Sequence, residues 1–151
     1  MSAIDEACTA YELRLREPWN AHVSGAERVW MLTYRPGDER RLRLRLKQFE
    51  TATEAARRTW QVIDVTTSFE RWLDGHEYRD EYLTDPEALH YGALDEYADH
   101  LAQEVNEQLA TADDTTVSTL LGAASLFGLV RLSRLIAAVA DPIPGRLLVL
   151  F

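Results

Sequence analysis

The stretch best placed to do chemistry is Leu121-Gly122-Ala123-Ala124-Ser125-Leu126-Phe127-Gly128, which reads as strand, glycine turn and helix start. Free backbone N–H groups at such a turn can hold an anion. A nucleotide-binding P-loop, however, needs a second glycine five residues after the first, then lysine and a hydroxyl residue. Here Phe127 occupies the second glycine's place and no lysine follows, and a G-x-G-x-x-G pattern is absent too. The glycines are therefore read as packing devices. Ser125 lacks the G-x-S-x-G surroundings of a nucleophile elbow. His22, His76, His90 and His100 stand singly, without the H-x-x-x-H or H-E-x-x-H spacing that holds zinc. Acid pairs such as Asp80/Glu81 and Asp95/Glu96 lie in a run so acidic that pairs arise without purpose. Neither a cofactor nor a catalytic residue is expected, and the chain is read as a non-enzyme.

The arginines are the better binding candidates. Residues 35–58 hold Arg35, Arg40, Arg41, Arg43, Arg45, Lys47, Arg57 and Arg58, half of the 16 basic side chains. Residues 74–114 carry acids with Arg79 as the one basic exception. A net charge of −9 opposes nonspecific nucleic-acid binding, yet this segregation predicts two faces of opposite sign. Arg35, Arg41 and Arg45, interleaved with Tyr34 and Phe49, could meet phosphates or an acidic protein. A solvated helix face accounts for the same residues.

The elements positioning these groups follow from hydrophobic spacing. Ile4, Cys8, Tyr11 and Leu15 form a helical stripe that Pro18 ends, so residues 1–22 are expected to pack on the domain as a helical segment. Residues 29–34 and 60–65 read as buried strands, as do 117–121 and 145–151. Residues 41–46 alternate with period two and could form a hairpin after Pro36-Gly37. Leu42, Leu46, Phe49, Thr53 and Ala56 instead mark a helix, with Asp38 and Glu39 at its favoured acidic end, and helix is chosen. Thr66-Thr67-Ser68 offer caps for a short helix over Phe69–Leu73. Residues 76–93 read as irregular, with Asp85-Pro86-Glu87 as a helix-start signal. Leu94, Tyr97, Ala98, Leu101, Val105 and Leu109 form the clearest amphipathic helix. An apolar helix is expected from about Leu126 to Val139.

Strands alternating with helices predict one α/β domain over 1–151, a three-layer αβα sandwich with an open, mostly parallel sheet of about four strands. No apolar run reaches the roughly 20 residues of a membrane span. The single cysteine and the missing export signal fit a cytoplasmic protein. Ending on Leu147-Leu148-Val149-Leu150-Phe151, the sequence also suggests truncation.

Several stretches in collinear order resemble the BrxB family of bacterial phage-exclusion (BREX) systems. Arg28-Val29-Trp30-Met31-Leu32-Thr33-Tyr34-Arg35-Pro36 is similar to that family's first strand and its tyrosine-proline exit. The segment from Leu120-Leu121-Gly122 through Phe127-Gly128 to Arg131-Leu132-Ser133 resembles its glycine turn running into a helix that carries an aromatic and an arginine. Gly145 to Phe151 is similar to its last core strand, although the Pro-Gly-Glu loop that follows there has no counterpart here. The resemblance implies an accessory or scaffolding subunit, with a PglZ-like protein of the alkaline phosphatase superfamily as direct partner and other BREX components nearby. It carries over Gly122, Phe127, Gly128 and Arg131 as motif positions. Arg131, alone on an apolar helix, would need an acidic, carbonyl or phosphate partner. The alternatives are a nucleic-acid-binding regulator using the 35–58 surface, or a degenerate nucleotide-binding domain.

Overall fold

A computed structural model describes residues 2–20, 22–89, 91–139 and 143–151, apart from the side chain of Tyr91. The first helix, α1 (Ala3–Arg16), starts at a reciprocal cap: the Ser2 hydroxyl accepts from the Asp5 backbone N–H, and the Asp5 carboxylate accepts from the Ser2 N–H. It stops at Glu17, whose extended backbone is what the following proline demands. Strand β1 (Val29–Leu32) leads through a 3-10 turn at Pro36–Asp38 into α2 (Glu39–Ala55), then β2 (Thr59–Asp64). The short helices α3 (Ser68–Asp74) and α4 (Arg79–Thr84) precede the long α5 (Tyr91–Leu109). Strand β3 (Thr116–Leu121), helix α6 (Leu132–Val139) and strand β4 (Arg146–Leu150) complete the chain.

The four strands form one parallel sheet in the order β1-β4-β3-β2. In the register, Trp30 lies opposite Leu148, Thr119 opposite Leu148 from the other side, and Ile63 opposite Leu120. Helices cover both faces. On one, Tyr11 of α1 and Leu42 and Phe49 of α2 pack against Val117, Leu121, Leu148 and Leu150. On the other, Tyr97, Leu101 and Leu109 of α5 and Leu135 and Val139 of α6 pack against Ile63, Leu120, Leu147 and Val149. Successive residues of β4 thus point into different cores, and this is why the strand reads as an unbroken apolar run. The connection from β1 crosses the sheet on the α2 face, while those from β2 and β3 return on the opposite face. Reversal of direction with reversal of face is what a constant crossover hand requires. The expected α/β sandwich with a four-stranded parallel sheet is the fold found.

The hairpin alternative for residues 41–46 is settled by burial. Leu42 is buried and Leu46 partly so, whereas Leu44 is exposed. A period-two strand would have put all three leucines on one face.

Several expectations need correction. Strands β1 and β2 are not fully buried, because they are the two edges of the sheet; Met31 of β1 is 49% exposed. Residues 76–93 are not irregular: they contain α4 and a 3-10 turn at Pro86–Ala88, which Asp85 caps through the Glu87 N–H. At six residues, α4 is too short to show a repeating stripe. It is held by aromatic contacts instead, with Tyr82 and Trp72 both against the His76 ring at 5.1 and 4.7 Å. No side-chain cap opens α3, since Thr66 bonds Asp64 and Ser68 bonds Glu104. The helix expected from Leu126 is a 3-10 turn at Ala123–Leu126, then an irregular link, and α6 begins only at Leu132. The break falls at Gly128, whose φ of +80° cannot continue a right-handed helix. Among the described residues, no helix is long and apolar enough to cross a membrane.

A crevice at the carboxyl ends of the strands

In open parallel sheets, ligands bind beyond the carboxyl ends of the strands, where neighbouring connections leave toward opposite faces. Here β1 exits toward α2 and β3 exits toward α6, with β4 between them. A crevice of about 1830 Å³ opens at this place, bounded by the β1 exit, the β2 exit at Thr66, the link from Gly122 to Arg134, and Phe151.

Its polar floor is a chain of paired side chains. The Tyr34 hydroxyl donates to the Glu39 carboxylate, which also receives the Arg43 Nε at 2.7 Å. Arg43 Nη2 donates to Thr66 Oγ1 at 2.9 Å, and Nη1 approaches Asp64 at 3.8 Å. Burial, together with the Glu39 carboxylate, pushes the Tyr34 phenol well above its ordinary pKa. The groups tie the exits of β1 and β2 to the start of α2.

The third exit is fixed by close approach. Gly122 has φ +86°, and a Cβ there would lie 2.3 Å from Thr66 Oγ1 and 2.9 Å from the Thr66 nitrogen. Only glycine allows the β3 exit to lie against the β2 exit. Ser125 turns its hydroxyl toward the Gly122 and Val65 carbonyls, at 2.6 and 3.2 Å, so it braces the turn.

From this base the 122–131 link projects Phe127, which is 91% exposed. The backbone beneath it is anchored: Phe127 N–H donates to Ala124 O, and the Leu129 and Val130 N–H groups donate to Leu126 O. An aromatic ring is thus held in solvent at the mouth of an apolar crevice, with Leu129, Leu132 and Phe151 nearby in its lining. Arg131 and Arg134 also line it.

Of the residues singled out in the sequence, Tyr34, Gly122, Phe127, Gly128 and Arg131 come together in this crevice. Arg35 is exposed at its margin. Arg41 is exposed on α2, 3.7 Å from Asp38, and Arg45 pairs with Asp5 at 2.5 Å; neither lines the crevice. Arg131 precedes α6 and is exposed, and among the described residues its side chain has no ion pair or hydrogen bond. The apolar helix that would have forced a partner on it begins one residue later. Arg134 is the paired cation, with Asp95 at 2.6 Å and Asp99 at 3.9 Å.

The 35–58 segment does not form one basic surface. Helix α2 spans roughly 25 Å at 1.5 Å per residue, placing Arg35 and Arg58 at opposite ends of the sheet. Between them, Arg43, Arg45 and Lys47 are each matched to an acid. Helices α2 and α5 pack on opposite faces of the sheet.

Glu39, Thr66 and Phe151 are crevice residues that the sequence does not single out as a site, while Arg43 is read there only as one of the basic run and Asp95 as one of an acid pair without purpose. Their convergence depends on strand order, which no local spacing encodes. His76 and His100 border a second hollow of about 510 Å³ beside Glu104, and His90 lies outside the described residues. Among the described residues, no three His, Cys, Asp or Glu side chains are grouped to hold a metal ion. Cys8 is buried in the α1 face of the core, and burial raises its thiol pKa. No protein-family model, curated protein or solved structure matches this chain.

Proposed function

We propose that this chain is a non-catalytic docking subunit of a BREX-type phage-defence system, and that its carboxyl-end crevice receives a PglZ-like protein of the alkaline phosphatase superfamily. The observation carrying the docking reading is Phe127, a fully presented aromatic on a loop whose backbone is anchored on both sides. Exposed aromatics on ordered backbone are the residues that dominate binding energy at protein interfaces, because little freedom is lost when they are covered.

The crevice size points the same way. Pockets for single small molecules run to roughly 300–1,000 Å³, and this one, at about 1830 Å³, suits a protein surface better. Its polar floor also favours this role, since Tyr34, Glu39, Arg43 and Thr66 satisfy one another. The choice of partner rests on the sequence resemblance alone. Gly122, Phe127, Gly128 and Arg131, the positions that resemblance carries, all border the crevice.

Titration of the purified chain with the PglZ-like protein of the same genome, followed by calorimetry, tests the reading. Saturable binding at one-to-one stoichiometry is expected. A genome without such a gene, or a titration without saturable heat, ends it.

A further inference from the structure

The opposite end of the sheet carries a second feature, unrelated to the crevice. Arg146 opens β4 and is only 6% exposed. Its guanidinium donates to two backbone carbonyls, Nη1 to Gly145 O at 2.9 Å and Nη2 to Asn20 O at 3.2 Å. It lies 4.9 Å from the centre of the Trp19 ring, and the Arg58 guanidinium lies 3.8 Å from the same centre. Among the described residues, neither arginine has a carboxylate partner. Trp30 meets Trp19 edge-on at 5.7 Å and carries Arg14 over its own ring at 5.5 Å. Arg14 is paired with Glu17 at 2.9 Å, and Arg28 reaches Ile143 O at 2.9 Å.

Part of this arrangement has a structural cause. Arg14 lies in the last turn of α1 and Arg58 just beyond α2, where cations suit the negative helix ends. The indole ring offsets some of the cost of two cations in contact with it. Two facts remain. The buried Arg146 guanidinium has no carboxylate partner among the described residues, and Arg58 acts on it as a like charge. The Trp19 Nε1–H is buried without any acceptor. Two guanidiniums and an indole N–H around one ring, with no carboxylate on either guanidinium among the described residues, suit an anion.

We propose that the Arg146–Arg58–Trp19 cluster binds a phosphate monoester dianion. Guanidinium forks match phosphate oxygens in pairs, and a dianion compensates two arginines where a carboxylate or a phosphodiester compensates one. Base stacking of a nucleic-acid strand on Trp19 is opposed by Arg58, which already lies over that ring.

Inorganic phosphate, used above its second pKa, is the probe. Phosphate stabilises many proteins merely by exclusion from their surfaces, so the readout is the arginine side-chain N–H resonances at constant ionic strength, with chloride as reference. Saturable shifts specific to phosphate are expected, with affinity falling roughly tenfold in Arg58→Ala through loss of a charge-assisted contact. Because Arg146 variants risk unfolding, Trp19→Phe serves as the second variant; it removes the orphan donor and part of the ring while keeping an aromatic face beside the arginines, and is expected to fold while binding phosphate more weakly. The proposal is overturned by shifts equal to those in chloride, by an Arg58→Ala protein that responds like the parent, or by saturation with an oligonucleotide but not with phosphate.

Discussion

Replacing Gly145 with alanine is expected to destabilise the domain by roughly 3–5 kcal/mol, at the upper end of single substitutions. Gly145 has φ +67°, which alone costs an alanine about 1–2 kcal/mol. The larger part comes from contact. A Cβ would sit 2.1 Å from the Thr116 carbonyl oxygen and 2.9 Å from that of Asp113. Both are backbone atoms at the entry to β3, so no rotamer change relieves them. The two central strands would have to separate at their amino ends, where Val117 lies opposite Arg146. Gly128 is the control: its φ is +80°, but nothing lies within 4 Å of a built Cβ. Gly128→Ala should cost only the backbone term, about 1–2 kcal/mol. Urea unfolding of both variants checks the difference, and equal midpoints would show that the close approach at Gly145 carries no weight.

The second large effect concerns binding. Phe127→Asp is expected to weaken capture of the PglZ-like protein by roughly 2–4 kcal/mol, at least thirtyfold, as for a central aromatic anchor. The fold should hardly notice. With its ring in solvent, Phe127 contributes little to the core, and surface changes of this kind stay within about 0.5 kcal/mol. Calorimetry of binding and urea unfolding of the same variant separate the two quantities. A variant that binds normally removes Phe127 from the interface. One that unfolds early would mean that the ring is part of the core.

The architecture was legible because two periodicities carried it. The stripes Ile4-Cys8-Tyr11-Leu15 and Leu94-Tyr97-Leu101-Val105 belong to helices with one buried face, and α1 and α5 are such helices. The run at 147–150 is apolar at every position because β4 is central and covered on both faces. Edge strands defeat the same logic. Residues 29–32 look as apolar as β4, yet their position in the sheet leaves Met31 in solvent. Strand order is a nonlocal property.

The candidate site was legible only in part, for a related reason. Gly122 is read as a turn and Gly128 as part of the helix that follows, yet both adopt positive φ. What that backbone does was misjudged. Leu126, Leu129, Val130 and Leu132 have enough apolar character to suggest one continuous helix, but the left-handed Gly128 divides the segment and turns Phe127 outward. Arg131 accordingly faces solvent at the crevice, with no buried charge to neutralise. The basic run at 35–58 misled in the opposite direction. Dense in sequence, it is dispersed along a helix spanning the domain, and Asp5, Glu39 and Glu50 neutralise part of it.

Amide hydrogen exchange of the chain with and without the proposed partner, a PglZ-like protein, addresses the docking claim most directly. Protection concentrated in residues 122–131 and around Tyr34 is the predicted result, with α5 unchanged beyond Asp95, which lines the crevice. A footprint on the outer face of α2 or on the acidic face of α5, leaving the Phe127 loop exchanging as in the free protein, would contradict it.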